Sequence, residues 1–386
     1  MNGSFRVGTL FGIPFYVNTS WFIVLALVTL SYGTELGATF PQLGFTASLV
    51  LGLIAALLLF SSVLAHELGH SFVAMRQGIE VKSISLFLFG GLASFDRESK
   101  TPGQAFWVAI AGPLVSLGLF GILRALLFGV TTLSPVTAIV SLLASINLIL
   151  ALFNLIPGLP LDGGNVLKAI VWKITGDPYK GVVFAGRVGQ VFGWLSIGTG
   201  LLPIFLGYGP QWWNILIGSF LLQNAGRAAQ SAQIERTLSS RTAADAITPN
   251  SPIVRRDITL REFANQHVIG NTREWKRFLV VDEAGKMIGA IATDDTKTIA
   301  TSDWVKTTVA ELTQPLSLET IAASASILEA LQMMERIHQN ELPVIDETGA
   351  IIGLFEKNTA IEILRSEREA STPDTPEAKE ILTNQE

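Results

Sequence analysis

Residues 46–70 have the sequence TASLVLGLIAALLLFSSVLAHELGH, an apolar run that ends in two histidines and a glutamate. The part up to Ala65 contains about the 20 apolar residues that a helix needs to cross a bilayer. The motif His66-Glu67-Leu68-Gly69-His70 continues this helix at its end. Ionisable groups at membrane depth are costly and usually mark a functional site in the protein interior. The stretch therefore predicts a membrane-spanning helix with a site built into it.

The two histidines, four positions apart, predict a zinc site. On a helix this spacing puts His66 and His70 on one face, one turn apart, where they can share a tetrahedral zinc ion. Glu67 lies beside them and fits a general base that takes a proton from the attacking water. The alternative is that the helix end reaches the membrane surface and the histidines are merely interfacial.

A catalytic zinc ion usually has a third protein ligand. The chain has no cysteine, and its first 240 residues contain no histidine besides His66 and His70, so a carboxylate or amide must serve. Only Asp162 has an apolar setting, in the segment 154–165, whose prolines and glycines interrupt a helix. We expect Asp162 to be the third ligand. The alternative is that it only caps the helix that begins near Asn165.

Charge divides the chain into two parts. Only 15% of the 386 residues are charged, whereas soluble proteins have roughly 25%. The first 240 residues hold 12 Lys or Arg and 8 Asp or Glu, and the remaining residues hold 15 and 24. This predicts a multi-pass α-helical membrane protein with about six spans, one of them discontinuous at Asp162, followed by a soluble α/β part. The apolar runs are residues 19–33, 46–75, 104–130, 134–156, 182–207 and 210–224.

Lysines and arginines collect in alternate loops, which predicts that both termini are cytoplasmic. Basic residues occur in 76–100 and 168–187 but not in 34–45 or 207–211. Arg124 is the exception, and its long side chain could snorkel to the far interface. The first apolar run has no cleavage site after it, so we expect a retained anchor.

The composition excludes other classes of function. No basic surface for nucleic acid is evident, and the absence of cysteine excludes disulfide scaffolds and thiol nucleophiles.

The charged part of the chain repeats itself at an offset of 64 residues. Residues 277–289 have the sequence RFLVVDEAGKMIG, and residues 341–353 have the sequence ELPVIDETGAIIG. Both copies predict a strand, a turn at Asp-Glu-x-Gly and a second strand. Residues 366–386 lack the apolar content to fold and are predicted to be disordered.

The motifs of the membrane part together resemble the site-2 protease family of intramembrane zinc metalloproteases. The resemblance rests on His66-Glu-Leu-Gly-His70, on Ala111-Gly-Pro113 and on the segment 154–164, in order and spacing. It implies that His66, His70 and Asp162 hold one zinc ion per chain and that Glu67 activates water. It also implies that Asn154 helps to hold the substrate carbonyl or its oxyanion.

Residues 83–91 are too short to span a membrane and too apolar for a free loop, which predicts a strand that turns at Gly90-Gly91. The resemblance implies a membrane-associated β-loop here, whose edge could pair with an unwound substrate. The alternative is a hairpin that lies on the membrane interface.

The chain departs from the family motifs at two positions: Ser116 and Asn165 stand where many relatives have Asn and Arg, respectively. Neither is expected to touch a zinc ligand, so we expect effects on substrate contacts or packing.

The duplicated tail resembles a tandem of CBS domains. In that module an Asp after the second strand binds a ribose, which implies Asp295 as the contact for an adenine nucleotide. Ala292 and Glu356 replace the hydroxyl residues of the motif and Thr359 replaces the second Asp, so a structural or dimerising module is the alternative. The predicted domains are the protease at 1–229, a linker at 230–240, CBS repeats at 241–300 and 301–365, and the tail at 366–386.

The leading hypothesis is an intramembrane endopeptidase that cleaves a transmembrane segment of a membrane-anchored regulatory protein. The partners would be the lipid bilayer, a substrate such as an anchored transcription factor or anti-sigma factor, and a second copy of the chain through the CBS module. The alternative is a CBS-regulated ion transporter or channel, which leaves the His-Glu-x-x-His motif without a role. A catalytically silent membrane adaptor is a third possibility, but it would be expected to have lost Glu67.

Overall fold

The computed structural model describes residues 4–87, 90–269, 275–316 and 318–371, with side chains as far as residue 366. The chain divides after Ala232 into two compact units. The helices that begin in the first unit are α1 Thr19–Thr39, α2 Gly44–Arg76, α3 Pro102–Leu126, α4 Pro135–Asn154, α5 Asp162–Thr175, α6 Pro178–Phe205 and α7 Trp212–Ser240.

Within the described residues, five helical segments are long and apolar enough to cross a membrane. They coincide with the first five predicted apolar runs. The sixth run, 210–224, lies in α7, which is not one of the five, because apolar residues fill only the first half of this helix. The five segments are Thr19–Thr39, Pro41–Arg76, Pro102–Leu126, Pro135–Asn154 and Pro178–Phe205.

The predicted break in the fourth span is confirmed. Helix α4 ends at Asn154, the chain turns through residues 155–161, and α5 begins at Asp162, three residues before the expected start. The Leu159–Pro160 peptide bond is cis. Since the backbone of this turn folds back on the first residues of α5, only glycine fits there: a Cβ on Gly163 would lie 2.5 Å from the Ile156 carbonyl oxygen.

A four-stranded sheet accompanies the helices, in the order β1-β2-β3-β4. Strands β1 and β2 form an N-terminal antiparallel hairpin that the sequence did not predict, and β2 pairs in parallel with β3. The predicted strand in 83–91 is confirmed as part of β3, whereas Gly90 and Gly91 begin β4 rather than the turn. Residues 88–89 lie outside the described residues. The strands are β1 Ser4–Leu10, β2 Ile13–Asn18, β3 Val81–Phe87 and β4 Gly90–Phe95.

The second unit contains two three-stranded sheets, ordered β5-β6-β7 and β10-β9-β8, and the predicted duplication is confirmed. Gly285 and Gly349 occupy equivalent turns with φ of 79° and 83°, a region that favours glycine. The strands are β5 Ile253–Arg255, β6 Arg277–Val281, β7 Met287–Ala292, β8 Ile321–Ala322, β9 Glu341–Ile345 and β10 Ile351–Glu356. The helices are α8 Leu260–Phe263, α9 Val309–Leu312, α10 Ile327–Ile337 and α11 Lys357–Ser371.

The segment after α7 pairs with the second repeat, although it precedes the first repeat in the chain. The Ala243 N–H donates to the Ala325 carbonyl at 2.7 Å, and the Thr248 N–H donates to the Leu354 carbonyl at 2.8 Å. At the other end, α11 reaches Ser371, so the first residues of the predicted disordered tail are helical. Residues 372–386 of that tail lie outside the described residues.

Candidate metal centre

The histidines of the motif are buried and face each other. His66 and His70 lie one turn apart in α2, with exposed fractions of 3% and 7%. Their Nε2 atoms are 3.3 Å apart. The two imidazoles therefore point to a common position inside the protein, which does not fit the alternative of histidines at a membrane surface.

Asp162 brings a carboxylate to the same position. Its Oδ2 lies 3.0 Å from His66 Nε2 and 3.2 Å from His70 Nε2. Nitrogen and oxygen ligands at zinc distances of about 2.0–2.1 Å in a tetrahedron are about 3.3 Å from one another. The three atoms therefore fit a zinc ion, and they form the one such group of His and carboxylate residues within the described part of the chain. The alternative role as a helix cap is not seen, since Leu161 is the cap residue and no side chain bonds there.

Helix α3 orients both imidazoles from behind. His70 Nδ1 donates to the Val108 carbonyl at 2.7 Å, and His66 Nδ1 is 2.9 Å from Ser116 Oγ. With Nδ1 of each ring engaged by α3, Nε2 is the nitrogen of each ring that faces the common position. The expectation that Ser116 would not touch a zinc ligand is wrong: its side chain is fully buried against His66. The sequence does not say which face of α3 meets α2, so only the structure could assign this contact.

Gly112 leaves the space that the two imidazoles occupy. A Cβ at this position would lie 2.7 Å from His66 Nε2 and would also collide with His70 Nε2. Gly69 of α2 also lies close to α3, since a Cβ there would lie 2.8 Å from Val115 Cγ2 and 3.0 Å from the Ala111 carbonyl oxygen. In the sequence analysis, the Ala111-Gly-Pro113 motif supported the family resemblance, but the packing role of Gly112 was not predicted. The signal that could have indicated it was a glycine next to a proline in the middle of an apolar helix.

Glu67 lies between α2 and the edge strand β4. A Cβ on Gly91 would collide with the Glu67 Cγ atom, and the Glu67 carboxylate accepts a hydrogen bond from the Ala93 backbone. The carboxylate is thus held beside the two histidines and next to the predicted β-loop.

The metal centre opens into a cavity of about 380 Å³. The cavity is lined by residues of β4, by Asn154 at the end of α4, and by Asn165 and Lys168 of α5. Lys168 Nζ is 3.2 Å from Glu98 Oε2 at the same cavity. The structure therefore brings together the predicted residues His66, Glu67, His70, Asp162 and Asn154.

The side chains at the CBS motif positions are engaged in hydrogen bonds within the second unit. Asp295 Oδ2 accepts the Ala292 N–H at 2.9 Å, at the start of the short 3-10 helix Thr293–Thr298. Thr248, in the segment after α7 that pairs with the second repeat, donates from Oγ1 to Glu356 Oε2 at 2.9 Å and lies 3.2 Å from Thr359 Oγ1. The Asp295 carboxylate thus stabilises the first turn of this short helix.

Comparison with known proteins assigns the membrane part. The sequence profile of peptidase family M50 matches residues 54–134 and 118–196, and the CBS domain profile matches residues 309–366. A candidate zinc metalloprotease of Synechocystis sp., sll0528, is 55% identical over 95% of this chain and 97% of its own length. The chain belongs to the M50 peptidase family. Rip3, a candidate zinc metalloprotease of Mycobacterium tuberculosis, is 31% identical over 94% of this M50 peptidase and 93% of its own length.

A solved structure, the site-2 protease from Methanocaldococcus jannaschii, is also similar. The match covers 58% of this M50 peptidase and 95% of the solved chain, with 29% sequence identity and a TM-score of 0.42. The family profiles and the relatives that match nearly the whole chain confirm the predicted family, a site-2 protease with CBS domains. The chain is a multi-pass membrane protein of the zinc metalloprotease class. The transporter or channel alternative is not favoured, because relatives that match nearly the whole chain are named as metalloproteases.

Proposed function

We propose that this M50 peptidase is an intramembrane zinc endopeptidase that cleaves a transmembrane segment of a membrane-anchored regulatory protein. A transcription factor or an anti-sigma factor held in the membrane is the expected kind of substrate. The main support is the triangle of His66 Nε2, His70 Nε2 and Asp162 Oδ2, with sides of 3.0–3.3 Å, in a cavity beside Glu67. In the proposal these three atoms hold one zinc ion.

A zinc ion held by His66, His70 and Asp162 would supply Lewis acidity toward a water molecule and the scissile carbonyl group. Glu67 takes the proton of the attacking water and delivers it to the leaving amine. The Asn154 side-chain amide donates to the carbonyl oxygen as negative charge develops on it. The burial of His66 and His70 supports this assignment, since charge stabilisation is stronger where bulk water is excluded.

The substrate enters as an extended segment, because the carbonyl groups of an intact helix are bonded within the helix and sheathed by side chains. Strand β4 is the edge of its sheet and lines the cavity. The edge of this strand that faces away from β3 can pair with an unwound substrate, as in strand addition. Gly91 allows this strand to pack directly against Glu67, since a Cβ there would collide with the Glu67 side chain.

We further propose that both termini and residues 76–103 are cytoplasmic, which gives the peptidase access from that side. The CBS repeats at 241–300 and 301–365 then form a cytoplasmic module that regulates the peptidase or pairs two copies. Asp295 is the residue through which an adenine nucleotide would act in this module.

Co-expression with a panel of membrane-anchored transcription factors and anti-sigma factors tests the function. We expect a shortened cytoplasmic fragment with the native chain and no fragment with Glu67→Gln, because the amide cannot accept the water proton. Glu80→Gln is the matched control, since this side chain is exposed and does not line the cavity. A fragment that persists with Glu67→Gln would contradict the assignment of the general base.

A further inference from the structure

The turn before Asp162 is bonded to helix α6. The Leu159 N–H donates to the Ala185 carbonyl at 3.1 Å. Both residues are buried, with exposed fractions of 6% and 0%. This carbonyl belongs to an α-helix and already has a partner four residues later in α6. The turn therefore adds a second bond to a helix backbone rather than to a side chain.

Gly189 makes this contact possible. A Cβ at Gly189 would collide with the Leu159 carbonyl oxygen and would lie 3.0 Å from the Leu159 nitrogen. From the opposite side, a Cβ at Gly158 would lie 2.6 Å from Gly189 Cα. The colliding atoms are backbone atoms on both sides, so no flexible side chain could move away. We call the Ala185 carbonyl and Gly189 the α6 seat.

The turn rests directly on the residues that follow Asp162. A Cβ on Gly164 would lie 2.6 Å from the Gly158 carbonyl oxygen, and one on Gly163 would lie 2.5 Å from the Ile156 carbonyl oxygen. Backbone packs on backbone here as well. A displacement of Gly158 and Leu159 is therefore passed to Gly163 and Gly164, and so to Asp162.

The other two metal ligands are held by a different helix, since α3 orients His66 and His70 through Ser116 and Val108. We propose that the α6 seat positions Asp162: Ala185 and Gly189 fix the turn so that the carboxylate meets the two imidazoles. The inference rests on the proposed ligand set. It adds residues of α6 that contact neither metal nor substrate and act through Leu159.

The small range of metal–ligand distances that a metal site accepts determines how much zinc affinity Gly189→Ala should lose. Metal–ligand distances must lie within about 0.2 Å of their ideal values. A Cβ at Gly189 requires a larger displacement of Leu159 than this, since the contact is far inside van der Waals distance. Changes in the supporting shell of a metal site typically lower affinity about 10–100-fold. We therefore expect Gly189→Ala to weaken zinc binding at least ~10-fold.

The test measures zinc affinity of the purified full-length chain by chelator competition, together with the visible absorption spectrum of bound Co²⁺. Gly189→Ala should bind zinc more weakly and alter the Co²⁺ spectrum, because the carboxylate ligand is displaced. Two variants of the same helix are controls. A Cβ on Gly198 meets nothing within 4 Å, and one on Gly186 faces Ala225 and Ala229 of α7 at 3.1 Å or more. Gly198→Ala and Gly186→Ala should keep the native affinity and spectrum.

Asp162→Ala in the same assay separates the two proposals. If Asp162→Ala retains zinc, the proposed ligand set fails. If Asp162→Ala loses zinc but Gly189→Ala binds it like the native chain, the α6 seat fails and the ligand set stands. Thermal unfolding of the metal-free variants identifies any loss of fold.

Amide hydrogen exchange of the native chain tests the inference without a variant. The Leu159 N–H should exchange slowly with and without zinc, and fast exchange with zinc bound would overturn the inference.

Discussion

At the scale of single residues, Ser116 shows how a small polar side chain can control a metal ligand. Its hydroxyl is 2.9 Å from His66 Nδ1 and fully buried. A hydrogen bond at Nδ1 fixes the orientation of the ring, so that Nε2 faces the candidate metal position. His70 has a backbone carbonyl in the same role, which no substitution can remove. Ser116 is therefore the side chain through which the orientation of an imidazole can be tested.

We expect Ser116→Ala to lower zinc affinity about tenfold while the chain still folds. The variant removes the partner of Nδ1 and leaves that nitrogen buried without a hydrogen bond. Chelator competition gives the affinity, and thermal unfolding without metal gives the stability. Ser61→Ala is the control, because its exposed hydroxyl bonds only to the Leu57 carbonyl of its own helix. Native affinity in Ser116→Ala would mean that packing alone orients His66.

At the scale of elements, the close packing of α2 against α3 determines the shape of the candidate metal site. Gly69 and Gly112 allow the two helix backbones to approach at the level of the histidines. A methyl group at either position must push the helices apart, since most of the opposing atoms are backbone or imidazole atoms. The geometry of the site is therefore a property of a helix pair rather than of one motif.

Gly112→Ala should abolish zinc binding, because its Cβ would occupy the position between the two Nε2 atoms. The metal content of the purified variant measures this directly. Gly118→Ala is the matched control in α3, since a Cβ there meets nothing within 4 Å. The control should bind zinc like the native chain. A Gly112→Ala variant with full zinc content would show that α3 can move away without cost.

The sequence predicted the elements whose signals are local. The apolar run before His66, the helix-breaking residues from Pro157 to Gly164, and the two Asp-Glu-x-Gly turns each determine their structure within a few residues. The parallel pairing of β2 with β3 and the contact of Ser116 with His66 join distant parts of the chain. Such contacts depend on how helices and strands pack against one another. Packing between distant segments leaves no periodic pattern in a single sequence, so it could not be predicted.

At the scale of the whole molecule, the side of the membrane that the metal centre faces remains a prediction from the loop charges. The chain contains no native cysteine, so a single introduced cysteine gives an unambiguous label. Gln42 and Lys100 are exposed and lie at opposite ends of α2 and its following hairpin. They are therefore suitable positions for a test of topology.

In intact cells, we expect a membrane-impermeant thiol reagent to label Gln42→Cys but not Lys100→Cys. After the membrane is opened, both variants should react. Retained zinc binding in each variant serves as the control for folding. Labelling of Lys100→Cys from outside would invert the topology and place the cavity on the side opposite to the proposed one.

The metal ligands lie far apart along the chain, and this separation has a consequence for biosynthesis. Asp162 follows His66 by 96 residues, and the α6 seat follows Asp162. A ribosome delivers the chain from its N-terminus, so in the nascent protein His66, Glu67 and His70 enter the bilayer before the proposed third ligand, Asp162, has a fixed position. We therefore expect the growing peptidase, and any product truncated before α6, to be inactive toward the membrane proteins being inserted beside it.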